Sequence, residues 1–105
     1  MFNPNYLIEA VEYYGIENQQ KKLAEEVLEL QLAVNELEPV LNSRHGKDIV
    51  KLKEHVAEEI ADVLNLVEQI RLHCRVAAGH VNNYRAFKAT RQHCRIVEAK
   101  ENEQQ

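Results

Sequence analysis

Two short acidic clusters mark this chain: Glu25-Glu26-Val27-Leu28-Glu29 and Glu58-Glu59-Ile60-Ala61-Asp62. Residues three apart on a helix are surface neighbours, about 60° apart around the axis. If both clusters are helical, Glu26 and Glu29 share a face, and so do Glu59 and Asp62. Counted from Leu23, Glu26 and Glu29 fall about 60° and about 120° off the apolar seam of their helix. Glu59 and Asp62 border the apolar stripe of theirs. In an antiparallel pair, the four carboxylates converge at the edge of the core. Converging carboxylates repel, so one takes up a proton or a cation sits between them. Hard oxygen donors suit Mg2+ or Mn2+, and Mg2+ keeps several waters and completes its shell with phosphate oxygens. The spacing points to metal-assisted phosphate chemistry. The competing reading is a pair of solvated helix faces, since glutamate is a strong helix former.

The elements that must position these acids follow from the punctuation of the chain. Asn3-Pro4 opens a short helix to about Tyr14, and Gly15 breaks it. A second helix fits Ile16 to about Glu38, where Pro39 ends it. Leu41 to Lys47, with Asn42, Ser43 and Gly46, reads as a loop. Asp48 is the expected N-cap of a third helix reaching about Ala78, and Gly79 separates it from a fourth, about His80 to Lys100. Residues 101–105 are expected to fray. Leu23, Val27, Leu30, Val34 and Leu37 form the expected seam of the second helix. Leu52, Val56, Ile60, Val63, Val67 and Ile70 form that of the third. Two long helices joined by a short loop lie antiparallel. Leu28 and Leu32 make a further apolar strip, to be covered by another helix or a second subunit. The expected architecture is all-α, one four-helix-bundle-like domain over 1–105 assembled as a homo-oligomer.

Composition supports this frame. The 105 residues are 45% hydrophobic and 29% charged, too apolar for a disordered chain. Three glycines and two prolines are too few for a turn-rich β sandwich or barrel. The net charge of −4 argues against a nucleic-acid polymer as partner, which calls for a basic surface. The longest run without a formal charge, Val76 to Tyr84, is far short of a membrane span. The N-terminus lacks the basic and apolar regions of a signal peptide, so the expected location is cytoplasmic. Cys74 and Cys94 then read as free thiols. The pairs His73-Cys74 and His93-Cys94 leave a zinc site open, although adjacent helical residues rarely share one metal.

Lys22 to Leu30, which contains Glu25-Glu26-Val27-Leu28-Glu29, resembles the EExxE motif of the MazG-like all-α nucleoside triphosphate pyrophosphohydrolases. Glu59-Ile60-Ala61-Asp62 resembles the ExxD partner motif of the same superfamily. The lead-in Gly15-Ile16-Glu17-Asn18-Gln19 and the basic segment Phe87-Lys88-Ala89-Thr90-Arg91 followed by Arg95-Ile96-Val97-Glu98 are similar to those of compact members. The resemblance covers about 15–98. It implies hydrolysis of an NTP or dNTP between the α and β phosphates, giving the monophosphate and pyrophosphate. It implies Mg2+ (or Mn2+) held by Glu26, Glu29, Glu59 and Asp62, with Glu25 holding a second metal or orienting the attacking water. It also implies a homodimer or homotetramer. The alternative function is a non-catalytic helical interaction module that keeps the bundle and its oligomer.

Other polar residues have two readings each. Lys22, one turn before Glu26, is a phosphate contact or an ion-pair partner of Glu26. Lys88, Arg91 and Arg95, with Tyr84 one turn earlier, form a stripe that binds the triphosphate or pairs with the acidic helices. Asn65, one turn beyond Asp62, can read a base or sugar. His55 and His73 fall near the carboxylate face by angle, as substrate contacts or as packing residues. Tyr13 and Tyr14 stack on a base or, the expected role, pack into the core.

Overall fold

Asn3 starts the first helix. Its side-chain Oδ1 accepts from the Asn5 amide at 3.0 Å and its carbonyl from the Tyr6 amide at 3.0 Å. In the computed structural model, which describes residues 2–42 and 46–104, helix α1 spans Asn5–Tyr14. Leu7 and Val11, one turn apart, are its buried face. Gly15 then takes φ 87°, a conformation that L side chains rarely adopt, and the chain re-enters helix at once. Helix α2 spans Ile16–Leu37 and is rich in the strong helix formers Lys, Leu, Ala and Glu. A 3-10 turn, Glu38–Val40, follows with Pro39 in its first positions. Helix α3 spans Gly46–His73 and helix α4 spans Ala78–Glu103. The expected loop over 41–47 is helical at its end, and its residues 43–45 lie outside the described residues, as does residue 105 of the tail.

Contacts divide the chain into two units, Met1–Cys74 and Arg75–Gln105. In the first, α2 packs along α3, and α1 packs on both. Among the described residues, the buried apolar side chains are Leu7, Val11, Ala33, Ile49 and Leu66, joined by the polar residues Gln19, Glu59 and Gln69. The second unit carries α4, a helix with no buried residue. The described residues are all-α, and no helix among them is long and apolar enough to cross a membrane.

The packing seam differs from the expected one. Val27 and Val34 of α2 and Ile60 and Val67 of α3 are exposed. The inward line of α2 is Gln19, Leu23, Glu26, Leu30, Ala33 and Leu37, all buried or half-buried. That of α3 is Leu52, Val56, Glu59, Val63, Leu66 and Ile70. Each helix is turned about 40° from the orientation that its aliphatic residues alone suggest. Ala33, 1% exposed, lies in the α2 line. The displaced aliphatics, with Leu28, Leu32 and Leu64, remain exposed.

Helix ends also differ. Asp48 lies inside the first turn of α3 and is not its N-cap, a position that favours an acidic side chain. Helix α3 stops at His73, short of Ala78. The Cys74 amide closes on the Ile70 carbonyl at 2.9 Å, and Arg75 turns left-handed at φ 59°. Gly79 does not separate two helices. It sits in the first turn of α4, behind an extended Ala77 whose carbonyl accepts from His80 and Val81. The tail 101–103 is helical and not frayed, with Lys100 favourably placed in the last turn.

Candidate active site

The acidic clusters meet where the turned seams place them. Glu26, expected at the edge of the core, occupies the inward line of α2 between Leu23 and Leu30 and is half-buried. Glu59 occupies the inward line of α3 and is 8% exposed. Glu29 lies on the exposed flank of α2 beside Glu26. Carboxylate oxygens of Glu26, Glu29 and Glu59 lie within 4.8 Å of one another. Asp62 is exposed and stands outside this group of three, yet its charge acts on Glu26. The four acids named from the sequence thus divide into a close triad and one neighbour.

The electrostatics of the site centre on Glu26. Burial, hydrogen bonding and charge from Glu29, the charge of Asp62, and hydrogen bonding to Glu59 raise its carboxyl from the ordinary 4.5 to about 7. One oxygen of Glu26, Oε2, and one of Glu59, Oε2, are buried with no hydrogen-bond partner among the described residues. A buried carboxylate oxygen without a donor is costly, and a coordinated cation removes that cost. Three carboxylates with an acidic neighbour are oxygen donors that could hold a hard divalent ion.

His55, read from its angle as a residue near the acids, reaches them. Its Nε2 stands 3.4 Å from Glu59 Oε1, one turn along α3. His73 sits exposed at the end of α3. Asn65 is exposed one turn beyond Asp62. Glu25 is exposed on α2, and Lys22 forms no ion pair with Glu26 among the described residues. Tyr13 and Tyr14 are not core residues. They are 81% and 57% exposed and meet edge to face with ring centroids 4.9 Å apart. On α4, Lys88, Arg91 and Arg95 share one exposed stripe, and the Arg91 guanidinium lies 5.7 Å over the Phe87 ring. The His80 and Tyr84 rings stack on the same helix at 5.3 Å. Cys74 and Cys94 are free and exposed, and neither His-Cys pair belongs to the acidic group.

Two features had no place in the sequence reading. Gln19 and Gln69 are both buried, and Gln19 Nε2 donates to Gln69 Oε1 at 2.7 Å across the α2–α3 pair. A surface groove of about 460 Å³ runs along the start of α2, lined by Tyr14, Asn18, Gln19, Lys21, Lys22 and Glu25. The amide pair leaves no trace in an apolar periodicity, because two polar residues fill seam positions. The groove has lining residues on both sides of Gly15, which sequence marks only as a break. No family model, no curated protein and no solved structure matches this chain.

Proposed function

We propose that the chain is a Mg2+-dependent nucleoside triphosphate pyrophosphohydrolase of the MazG-like kind, cleaving an NTP or dNTP between the α and β phosphates. The observation that supports this reading is the pair Glu26–Glu59. Both acids take seam positions, and each buries an oxygen without a partner. A merely solvated acidic face leaves such oxygens in water, and a scaffold gains nothing from burying them.

In this reading Glu26, Glu29 and Glu59 hold the cation, with Asp62 completing or supporting the set. When bound, the ion neutralises phosphate charge and fixes the chain for in-line displacement. The protein's own groups do the rest. His55 steadies Glu59 from one turn away. Glu25, exposed on α2 next to Glu26, orients the attacking water and takes its proton. The water oxygen forms the new bond to phosphorus, the bridging bond between α and β phosphates breaks, and pyrophosphate leaves. The exposed aliphatics Val27, Val34, Ile60, Leu64 and Val67 support assembly with further copies of the chain, as a homodimer or homotetramer.

The test is pyrophosphate release from a panel of NTPs and dNTPs, with Mg2+ and with EDTA. Release that needs Mg2+ is the expected result. Orthophosphate in place of pyrophosphate overturns the mechanism. No release from any nucleotide, by a folded oligomer, favours the non-catalytic interaction module.

A further inference from the structure

The groove beside the acids has a composition that the metal centre does not account for. Its lining combines an aromatic ring, two side-chain amides, two lysines and one carboxylate. Asn18, Lys22, Glu25 and Glu29 follow one another at i, i+4, i+7 and i+11, a single stripe along one flank of α2. This stripe leads from the groove, whose lining includes Lys22 and Glu25, to Glu29 of the acidic triad, one turn beyond Glu25. Its polar walls are fixed. Asn18 Nδ2 donates to the Tyr14 carbonyl at 2.7 Å, which ties the first turn of α2 to the end of α1. Gln19 is anchored by Gln69. Tyr14 is braced edge to face by Tyr13 and keeps more than half its surface in solvent.

We infer that this groove is the nucleoside subsite of the centre: the base stacks on Tyr14, and the phosphates pass Lys22 to reach Glu26, Glu29 and Glu59. The inference rests on the pyrophosphohydrolase reading and adds the direction in which the substrate lies. Chemistry sets that direction. An aromatic face and amide groups suit a base and sugar. A lysine beside carboxylates suits a phosphate that shares its charge with a cation. Stacking on a single tyrosine tolerates any base, so the groove holds the nucleoside without selecting it sharply.

The test is equilibrium titration of the full chain with three probes: Mn2+ alone, tripolyphosphate with Mg2+, and α,β-methylene deoxynucleoside triphosphates with Mg2+. Tyr14→Ala, at an exposed position, is expected to weaken the methylene nucleotides about tenfold. It leaves Mn2+ and tripolyphosphate binding within about twofold of wild type, and Tyr14→Phe restores nucleotide binding. Lys22→Gln weakens tripolyphosphate and nucleotide together. Nucleotide binding unchanged in Tyr14→Ala, with Mn2+ and tripolyphosphate still bound, overturns the groove and leaves the metal centre standing. A wild-type chain that binds neither Mn2+ nor tripolyphosphate overturns the metal centre, and the groove with it.

Discussion

Glu26 and Glu59 bring carboxylate oxygens within 4.8 Å of each other across the α2–α3 seam, and each buries an Oε2 that meets no donor among the described residues. A helix pair stabilised by apolar contact alone gains from replacing both acids. Their presence in the seam is the strongest chemical feature of the molecule.

Removing one acid separates function from fold. Glu59→Gln keeps shape and helicity and takes a negative charge out of the cluster. Pyrophosphate release is expected to fall by more than the about 100-fold that loss of a supporting residue costs a metal site. Helicity by circular dichroism stays at the wild-type level. Turnover at the wild-type rate in this variant would remove Glu59 from the metal set.

The raised Glu26 carboxyl gives the metal-free protein a pH-dependent stability. Its folded-state value is about 7 against the ordinary 4.5, so between these values the folded chain holds a proton that the unfolded chain releases. The associated stability is fully present below about pH 4.5 and is lost as pH rises through about 7. Melting in EDTA at a series of pH values should show Tm falling across this window, with the fall flattened in Glu26→Gln. Mg2+ should raise Tm more at pH 8 than at pH 5, because it meets the ionised carboxylates.

The amide pair Gln19–Gln69 invites a double-mutant cycle. Gln19→Leu leaves Gln69 buried without its partner, a loss of about 1–3 kcal/mol. Replacing both by leucine is expected to recover most of that loss, since two apolar groups leave nothing unpaired. Urea unfolding of the two single variants and the double variant checks this. Additive losses would show that the two amides do not depend on each other.

Gly15 makes the bend between α1 and α2 with φ 87°. A Cβ there meets nothing within 4 Å, so Gly15→Ala costs only the strain of φ 87°, about 1–3 kcal/mol. The same unfolding assay measures it, and an unchanged midpoint would mean that the bend relaxes.

Much of this molecule is legible in the residues themselves. Gly15 and Pro39 bound α2, glutamate and leucine make it helical, and the short connection makes α2 and α3 antiparallel. The i, i+3 spacing of Glu26 with Glu29 and of Glu59 with Asp62 follows from the helical period alone. The rotation of each helix does not. Leu23, Leu30 and Leu37 belong equally to a seam completed by Val27 and Val34 and to one completed by Glu26 and Ala33, since both repeat at four and three residues. Hydropathy favours the valines. In the tertiary structure the glutamate and alanine positions turn inward, where Ala33 is almost fully buried, Gln19 pairs with Gln69, and α1 packs against α2 and α3. That rotation of about 40° turns Glu26 and Glu59 inward, leaves Asp62 outside, and leaves Val27, Val34 and Val67 exposed. Helical period is a property of one chain segment. Which side faces inward is a joint property of three packed helices, and only their packing decides it.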